Sequence, residues 1–166
     1  GHHQAVIGRP SRNLDGWMLG ESANRAIFAR ASADADLSII EGMMGLFDGS
    51  SPVHEQGSTA ELAKQLNAPV LLVIDGSAMA RSAAAMASGY AKFDAAGQVR
   101  GVLFKRVRSE GHYRLLREAV EAEGLGFTGA QAYTLFPPPG PDTPDGETAA
   151  AAAQALALQI VEAAAA

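Results

Sequence analysis

DLSIIEGMMGLFDG, residues Asp36–Gly49, contains a short apolar run, then Glu41, and then a glycine-rich loop that carries Asp48 near its end. The run, Leu37–Ile40, has the length of one strand buried on both faces. Ligands of open α/β sheets lie at the carboxyl ends of the strands, so Glu41 at the strand end and Asp48 on the loop are expected to face one crevice. The stretch therefore predicts a strand followed by a ligand-binding loop.

These two carboxylates have the chemistry of a magnesium site. Mg²⁺ binds through one or two carboxylates, keeps several waters and shares other positions with substrate phosphates. Glu41 and Asp48 are therefore the candidate catalytic and metal-binding residues. Gly42 and Gly45 would let the loop adopt a positive φ or approach a ligand closely. A solvated strand-end carboxylate is the structural alternative for Glu41, and spacing alone leaves both open.

Strands and helices alternate along the rest of the chain. Apolar runs predict strands at Val70–Ile74 and Val99–Val107, with a short fourth strand at Leu125–Ala130. Helices are predicted at Glu21–Ala33, Thr59–Asn67, Ala78–Lys92 and Glu110–Glu123, and Gly1–Leu19 is predicted to be a loop. The alternation predicts an α/β fold with a mainly parallel sheet of three to four strands flanked by helices.

Two polar segments could contact a ligand. Ser58-Thr59-Ala60-Glu61 has the pattern of a capping box, and the amino end of the helix it begins is a ready anion site. A plain capped helix explains the same pattern. Ser11–Asp15 is dense in donors and acceptors, and its structural alternative is a turn in which Asn13 and Asp15 bond local backbone.

Composition narrows the classes of function. With 166 residues the chain is about one domain long, and its net charge of −5 argues against nucleic acid or an anionic membrane as main partner. The absence of cysteine excludes disulfides, thiolate metal sites and a cysteine nucleophile in these residues. The histidines lack zinc-ligand spacing. No apolar run approaches the length of a membrane span, and no leader pattern opens the chain, so a cytoplasmic location is expected.

The last 36 residues differ in character from the rest. Residues 131–146 are rich in proline and predict a stiff linker, and residues 147–166 are rich in alanine and predict a C-terminal helix. Residues 1–130 are the predicted domain.

Several blocks of this sequence resemble one known family. EGMMGLFDG, with GRPSRNLDGWML before it and GSTAELAKQLNAPVLLVID after it, is similar to the synthetase domain of the cobyrinic and hydrogenobyrinic acid a,c-diamide synthases. The resemblance continues through ARSAAAMASGYAKFD, VRGVLFKRV and SEGHYRLLREAVE, from about Gly8 to Glu123. It implies a P-loop NTPase-like (dethiobiotin synthetase-like) fold.

The resemblance also implies a reaction. A family member is an amidoligase that uses ATP and Mg²⁺: a corrin side-chain carboxylate attacks the γ-phosphate, and ammonia from a glutaminase domain displaces phosphate from the acyl phosphate. The implied metal-side residues are Glu41 and Asp48. The implied substrate or nucleotide contacts are Arg12, Asn13, Asp15, Gly42, Gly45, Ser58, Thr59 and Lys105. The family usually carries Asn where Lys105 stands, which departs from its pattern for recognition of the nucleotide base.

Two features of the family are missing from these 166 residues. There is no G-x-x-x-x-G-K-[ST] phosphate loop and no cysteine for a glutaminase. The chain is therefore expected to be a middle piece of the family's protein, inactive alone, with a corrinoid substrate and with a glutaminase domain or full-length partner chain supplying the rest. The alternatives are a fragment of a dethiobiotin synthetase-like enzyme and a non-catalytic binding or assembly module that keeps the fold. A homodimer is left open.

Overall fold

The computed structural model describes residues 2–107, 109–124 and 133–134. They belong to two compact units, the first of which is Gly1–Ala68, while the second begins at Pro69. The predicted end of the domain at residue 130 lies outside the described residues. So do the predicted linker and C-terminal helix, apart from the two residues 133–134.

The first unit is built from helices and loops. Its helices are α1 (His2–Ile7), α2 (Gly20–Ser32) and α3 (Thr59–Leu66). The prediction of a loop over Gly1–Leu19 missed α1, whose six residues are too few to show a helical period. Gly8 ends α1 in the left-handed conformation with φ +67°, and its amide donates to the Gln4 carbonyl at 3.0 Å.

The predicted strand at Leu37–Ile40 is wrong. These residues form a loop, and the side chain of Ile39 is 79% exposed. A strand needs a neighbour for its backbone hydrogen bonds, and no strand lies in residues 2–68. Glu41 consequently lies on a loop and not at the tip of a strand.

The interior of the first unit is small, and part of it is polar. Among the residues of this unit whose burial the structure describes, the buried ones are Asn24, Leu46, Ser58, Ala60 and Ala63. The two alanines lie on α3, which contacts α2. Two of the buried residues, Asn24 and Ser58, are polar, and both are hydrogen-bonded, as buried polar groups generally are.

The second unit contains the predicted parallel sheet. Its elements are β1 (Val70–Asp75), α4 (Arg81–Phe93), β2 (Val99–Lys105), α5 (Glu110–Ala122) and β3 (Tyr133–Thr134). The order is β1-β2-β3, and both pairings are parallel. This confirms helices combined with a parallel sheet. The third strand is Tyr133–Thr134, whereas the predicted fourth strand at Leu125–Ala130 lies outside the described residues.

The core of the second unit positions the ends of its strands. Leu103, Phe104 and Leu116 are almost fully buried, as are three alanines on α4. A methyl group added at Gly76, just after β1, would lie 3.0 Å from Leu116 Cδ1, so α5 packs closely over the strand end. The register pairs Asp75 with Lys105, and these two polar residues end their strands side by side.

Candidate functional site

Three loops meet at the amino end of α3. A methyl group added at Gly16 would lie 3.3 Å from Gly57 Cα, and one added at Gly42 would lie 2.7 Å from Thr59 Cγ2. The Ala60 amide donates to the Leu46 carbonyl at 2.9 Å. We call this region the α3 loop cluster; it comprises residues 15–18, 42–48 and 57–61. It brings together Asp15, Gly42, Gly45, Asp48, Ser58 and Thr59 of the predicted site.

The two predicted metal-side carboxylates are both exposed. Glu41 Oε2 lies 3.0 Å from His3 Nε2. Asp48 closes a turn, because its Oδ2 accepts from the Gly45 amide at 3.0 Å and its own amide donates to the Gly45 carbonyl at 3.1 Å. Each carboxylate uses one oxygen in these contacts, and its other oxygen is of the type that Mg²⁺ takes as a ligand. Within the described ranges, no three His, Asp or Glu side chains group closely enough to hold a metal.

The glycines of this loop serve close packing. The left-handed residue is Met44, with φ +61°, whereas neither Gly42 nor Gly45 has a positive φ. A side chain on Gly42 would collide with Thr59, and one on Gly45 would overlap Asp48 Oδ2. The two glycines therefore allow a close approach of the loop backbone, and the atoms approached are those of Thr59 and Asp48.

Asp15 holds a turn, as its structural alternative predicted. Its Oδ1 accepts from the amides of Trp17 and Met18, each at 2.8 Å. Its backbone is held by Asn24 of α2, which accepts from the Asp15 amide and donates to the Asp15 carbonyl, both at 3.0 Å. Asn24 is 0% exposed. This buried amide therefore fixes the position of the loop that carries the other predicted polar contacts.

Arg12 and Asn13 precede this turn and are exposed. The Arg12 guanidinium reaches the Ser11 carbonyl at 3.4 Å, which is a long hydrogen bond. Most of its donor capacity thus faces solvent, where a carboxylate or phosphate could bind.

The helix cap at Ser58 is confirmed, with one difference from the expected pattern. Ser58 Oγ accepts from the Glu61 amide at 3.1 Å, but Glu61 Oε2 accepts from the Gly57 amide at 2.7 Å instead of from Ser58. The Ser58 amide donates to the Glu55 carbonyl. Internal bonds already use the amides of Ala60 and Glu61, and the Glu61 carboxylate adds negative charge, so this helix end favours an anion less than the pattern suggested.

Lys105 belongs to the second unit, where it is exposed at the end of β2. The next residue, Arg106, has φ +59° and binds Asp75 through two nitrogens, with Nε at 3.1 Å from Oδ1. These bonds, and a further one from the Ser77 amide, lower the pKa of Asp75 from 3.8 to about 2. A bidentate pair of this kind fixes the two strand ends relative to each other.

His112, which fits the family pattern, is half-buried in α5. Its Nε2 lies 2.8 Å from the Met79 carbonyl, so this nitrogen carries the proton and donates. The contact ties α5 to the loop after β1 and explains the residue structurally.

Sequence reasoning missed two structural contacts near these residues. Asn24 carried a signal, because an Asn on the apolar side of a predicted helix needs a hydrogen-bond partner. The Asp75–Arg106 pair could have been inferred from parallel pairing of β1 and β2, which brings their carboxyl ends together. No helix among the described residues has the length and apolar character needed to cross a membrane.

Comparison with known proteins shows the class of protein to which this chain is similar. The chain is similar to biosynthetic enzymes whose names describe them as diamide synthases. Cobyrinate a,c-diamide synthase of Priestia megaterium is 52% identical over 122 residues, which are 74% of this chain and 26% of the relative. Hydrogenobyrinate a,c-diamide synthase of Streptomyces coelicolor is 40% identical over 129 residues, which are 78% of this chain and 26% of the relative.

Over this matched part, the chain belongs to the family of cobyrinate and hydrogenobyrinate a,c-diamide synthases. A relative from Syntrophotalea carbinolica is also named cobyrinate a,c-diamide synthase. It is 50% identical over 131 residues, and these cover 28% of the relative's length. The resemblance seen in the motifs is thus confirmed. No family model matches the chain. No solved structure matches it significantly, and the P-loop NTPase-like fold stays a prediction.

Proposed function

We propose that this chain contributes the substrate-side and metal-side loops of an enzyme that amidates the a and c carboxylates of cobyrinic or hydrogenobyrinic acid. The observation that carries the proposal is the identity of 40% to 52% with relatives of those names over most of the chain. The reaction belongs to cobalamin biosynthesis and takes place in the cytoplasm. The expected cosubstrates are ATP and glutamine.

In this proposal the α3 loop cluster positions the reacting groups. Arg12, whose guanidinium faces solvent, binds a substrate carboxylate or a phosphate. Asp15 and Asn24 hold the Arg12 loop, and the Gly45–Asp48 turn holds the second carboxylate. Glu41 and Asp48 would hold Mg²⁺. The bound ion would neutralise negative charge on the phosphoryl group that is transferred. Lys105 is a separate proposed nucleotide contact in the second unit, and this proposal comes from the family resemblance of its strand.

The chain alone is expected to be inactive, because its 166 residues contain neither a phosphate loop nor a cysteine. The test is turnover of cobyrinic acid with ATP, Mg²⁺ and glutamine, followed by mass spectrometry of the corrinoid. We expect no diamide. Diamide formed by the isolated chain would show that these residues suffice.

Calorimetric titration with ATP and Mg²⁺, beside Glu41→Ala, tests the metal-side half of the site. We expect no heat of binding from either protein without the phosphate loop. Binding that Glu41→Ala weakens would contradict this and would place a working half site in the chain. Binding that the substitution leaves unchanged would exclude Glu41 as a metal-side residue.

A second candidate is a non-catalytic binding or assembly module. It is favoured by the local use of the predicted site residues, since Asp15, Asp48 and Ser58 all hydrogen-bond neighbouring backbone. For such a module, Glu41→Ala would change no binding property.

A further inference from the structure

One face of α4 forms the floor of an open groove in the second unit, which we call the α4 groove. Its volume is about 540 Å³, and Glu123, just after α5, lines one side. The opposite face of α4 carries Ala83, Ala84 and Ala87, which are 0% exposed and belong to the core. The other lining residues recur at helical spacing along α4: Arg81, Ser82, Ala85, Ser88, Gly89 and Lys92.

The floor of the α4 groove consists of small side chains. A methyl group added at Gly89 would have nothing within 4 Å apart from its own helix backbone and chain neighbours, so the space above this residue is open. Ala85 is also exposed, although it lies in the middle of the helix. The distance between two packed helix axes depends on the side chains at their contact, and small side chains allow a close approach. The groove therefore has the shape that suits a second helix.

The two ends of the α4 groove are positively charged. Arg81 begins α4 and Lys92 lies in its last turn, so the two positions are about 16 Å apart along the helix axis. The side chain of Arg81 is 90% exposed, and its Nη2 lies 3.9 Å from Glu123 Oε1. An exposed pair at this distance contributes little. Arg81 and Lys92 therefore keep the capacity to bind carboxylates of a helix in the groove.

The segment of this chain that suits the groove is residues 147–166. It is the alanine-rich segment for which the sequence predicts a helix, and it lies outside the described residues. Helices in proteins gain most of their stability by packing one apolar face, so this one is expected to need a docking surface. In a helix, one face would combine small residues with two larger apolar ones: Ala149, Ala152, Leu156, Ile160 and Ala163.

Charge and reach both favour this segment as the occupant. Residues 135–166 contain no Lys, Arg or His, and their four carboxylates complement the cations of the groove. β3 ends at Thr134, and residues 135–146 are rich in proline. At about 3.1 Å per residue, a proline-rich tether of this length spans about 37 Å. A small domain is about 30 Å wide, so the groove is within reach of the segment.

We propose that residues 147–166 form a helix that docks in the α4 groove. The face from Ala149 to Ala163 would pack on the small residues of α4, and the carboxylates of the segment would lie near Arg81 and Lys92. The tether gives the helix a high effective concentration, so weak contacts suffice to populate the docked state. The inference concerns a surface distant in sequence from the α3 loop cluster and does not depend on the proposed amidation.

Disulfide cross-linking of the full chain tests the proposal, because its 166 residues contain no cysteine. Gly89→Cys is combined with Leu156→Cys or with Ile160→Cys, both on the predicted docking face. Leu158→Cys is the matched control, since it has a similar tether but lies about 200° around the predicted helix from position 156. Ala85→Cys replaces Gly89→Cys in a second series, in case one anchor disturbs folding. The measured quantity is the rate of intramolecular disulfide formation, followed by non-reducing electrophoresis.

We expect the disulfide to form about fivefold faster from position 156 or 160 than from position 158, because effective concentration depends on geometry. Lys92→Glu should slow the faster reaction by about two- to fivefold at low salt. Equal rates from the three positions would overturn the inference. A disulfide that forms only between two chains would overturn it as well and would assign the groove to self-association. A rate that Lys92→Glu leaves unchanged would exclude the ionic contact.

Discussion

Asn24→Ala should destabilise the first unit more than any exposed substitution in it. The side chain makes two hydrogen bonds of 3.0 Å to the backbone of Asp15 and is fully buried. Each bond contributes about 1 kcal/mol, and the Asp15 amide left unpaired adds about 1 kcal/mol or more. The Asp15 carbonyl keeps its bond from the Leu19 amide at 3.2 Å, and alanine gains about 0.5 kcal/mol of helix propensity. The expected loss is about 2 to 3 kcal/mol.

Urea unfolding followed by Trp17 fluorescence measures this loss, because Trp17 is in the turn that Asn24 supports. Ser22→Ala, an exposed change on α2, gives the matched control for helix propensity. A loss below about 0.5 kcal/mol for Asn24→Ala would refute the account of the buried amide.

Asn24→Asp adds a signature in pH. The buried carboxyl can replace the amide only when protonated, since it must donate to the Asp15 carbonyl. Burial and this bond raise its pKa in the folded state above the unfolded value. Stability is therefore fully present below the unfolded pKa and is lost as pH rises through the folded pKa. A variant equally stable at pH 4 and pH 7 would contradict the assigned bonds.

Three further results are expected. Gly42→Ala should cost about 1 to 3 kcal/mol through collision with Thr59, and Thr59→Ala should restore part of it; additive losses in chemical denaturation would exclude the contact. Ser58→Ala should cost about 1 kcal/mol by removing the cap of α3, measured in the same way, and an unchanged midpoint would argue against that cap. Arg106→Ala should return the pKa of Asp75 from about 2 toward 3.8 in an NMR titration. Since the pKa is lowered by folding, the pair's stability is present above about pH 4 and lost as pH falls toward 2, a loss the variant should lack.

The fold was predictable where local pattern and tertiary structure agree. Val70–Ile74 and Val99–Val107 are continuous apolar runs with helices after them, and both became neighbouring parallel strands. Leu37–Ile40 has the same pattern over fewer residues, but the described residues 2–68 of its unit contain no partner strand. Apolar pattern alone does not report whether a partner exists, which is why this prediction failed.

The sequence pointed to candidate site residues, but it did not predict the contacts that these residues make. Spacing pointed to Glu41 and Asp48, yet the contacts of Asp48 with Gly45 and of Asp15 with Trp17 depend on turns that short polar side chains form locally. Asn24 lies nine residues from its partner and acts through tertiary packing. Such a bond is visible only once α2 and the Asp15 turn are placed together.

The most direct test of the account replaces the matched 122-residue segment of the Priestia megaterium relative with the corresponding segment of this chain. Diamide formation from cobyrinic acid would then be measured with ATP, Mg²⁺ and glutamine. The account predicts an active chimera that loses activity with Asp48→Asn and retains it with Phe93→Ala. A folded chimera that makes no diamide, beside an active unaltered relative, would contradict the claim that these loops serve corrinoid amidation.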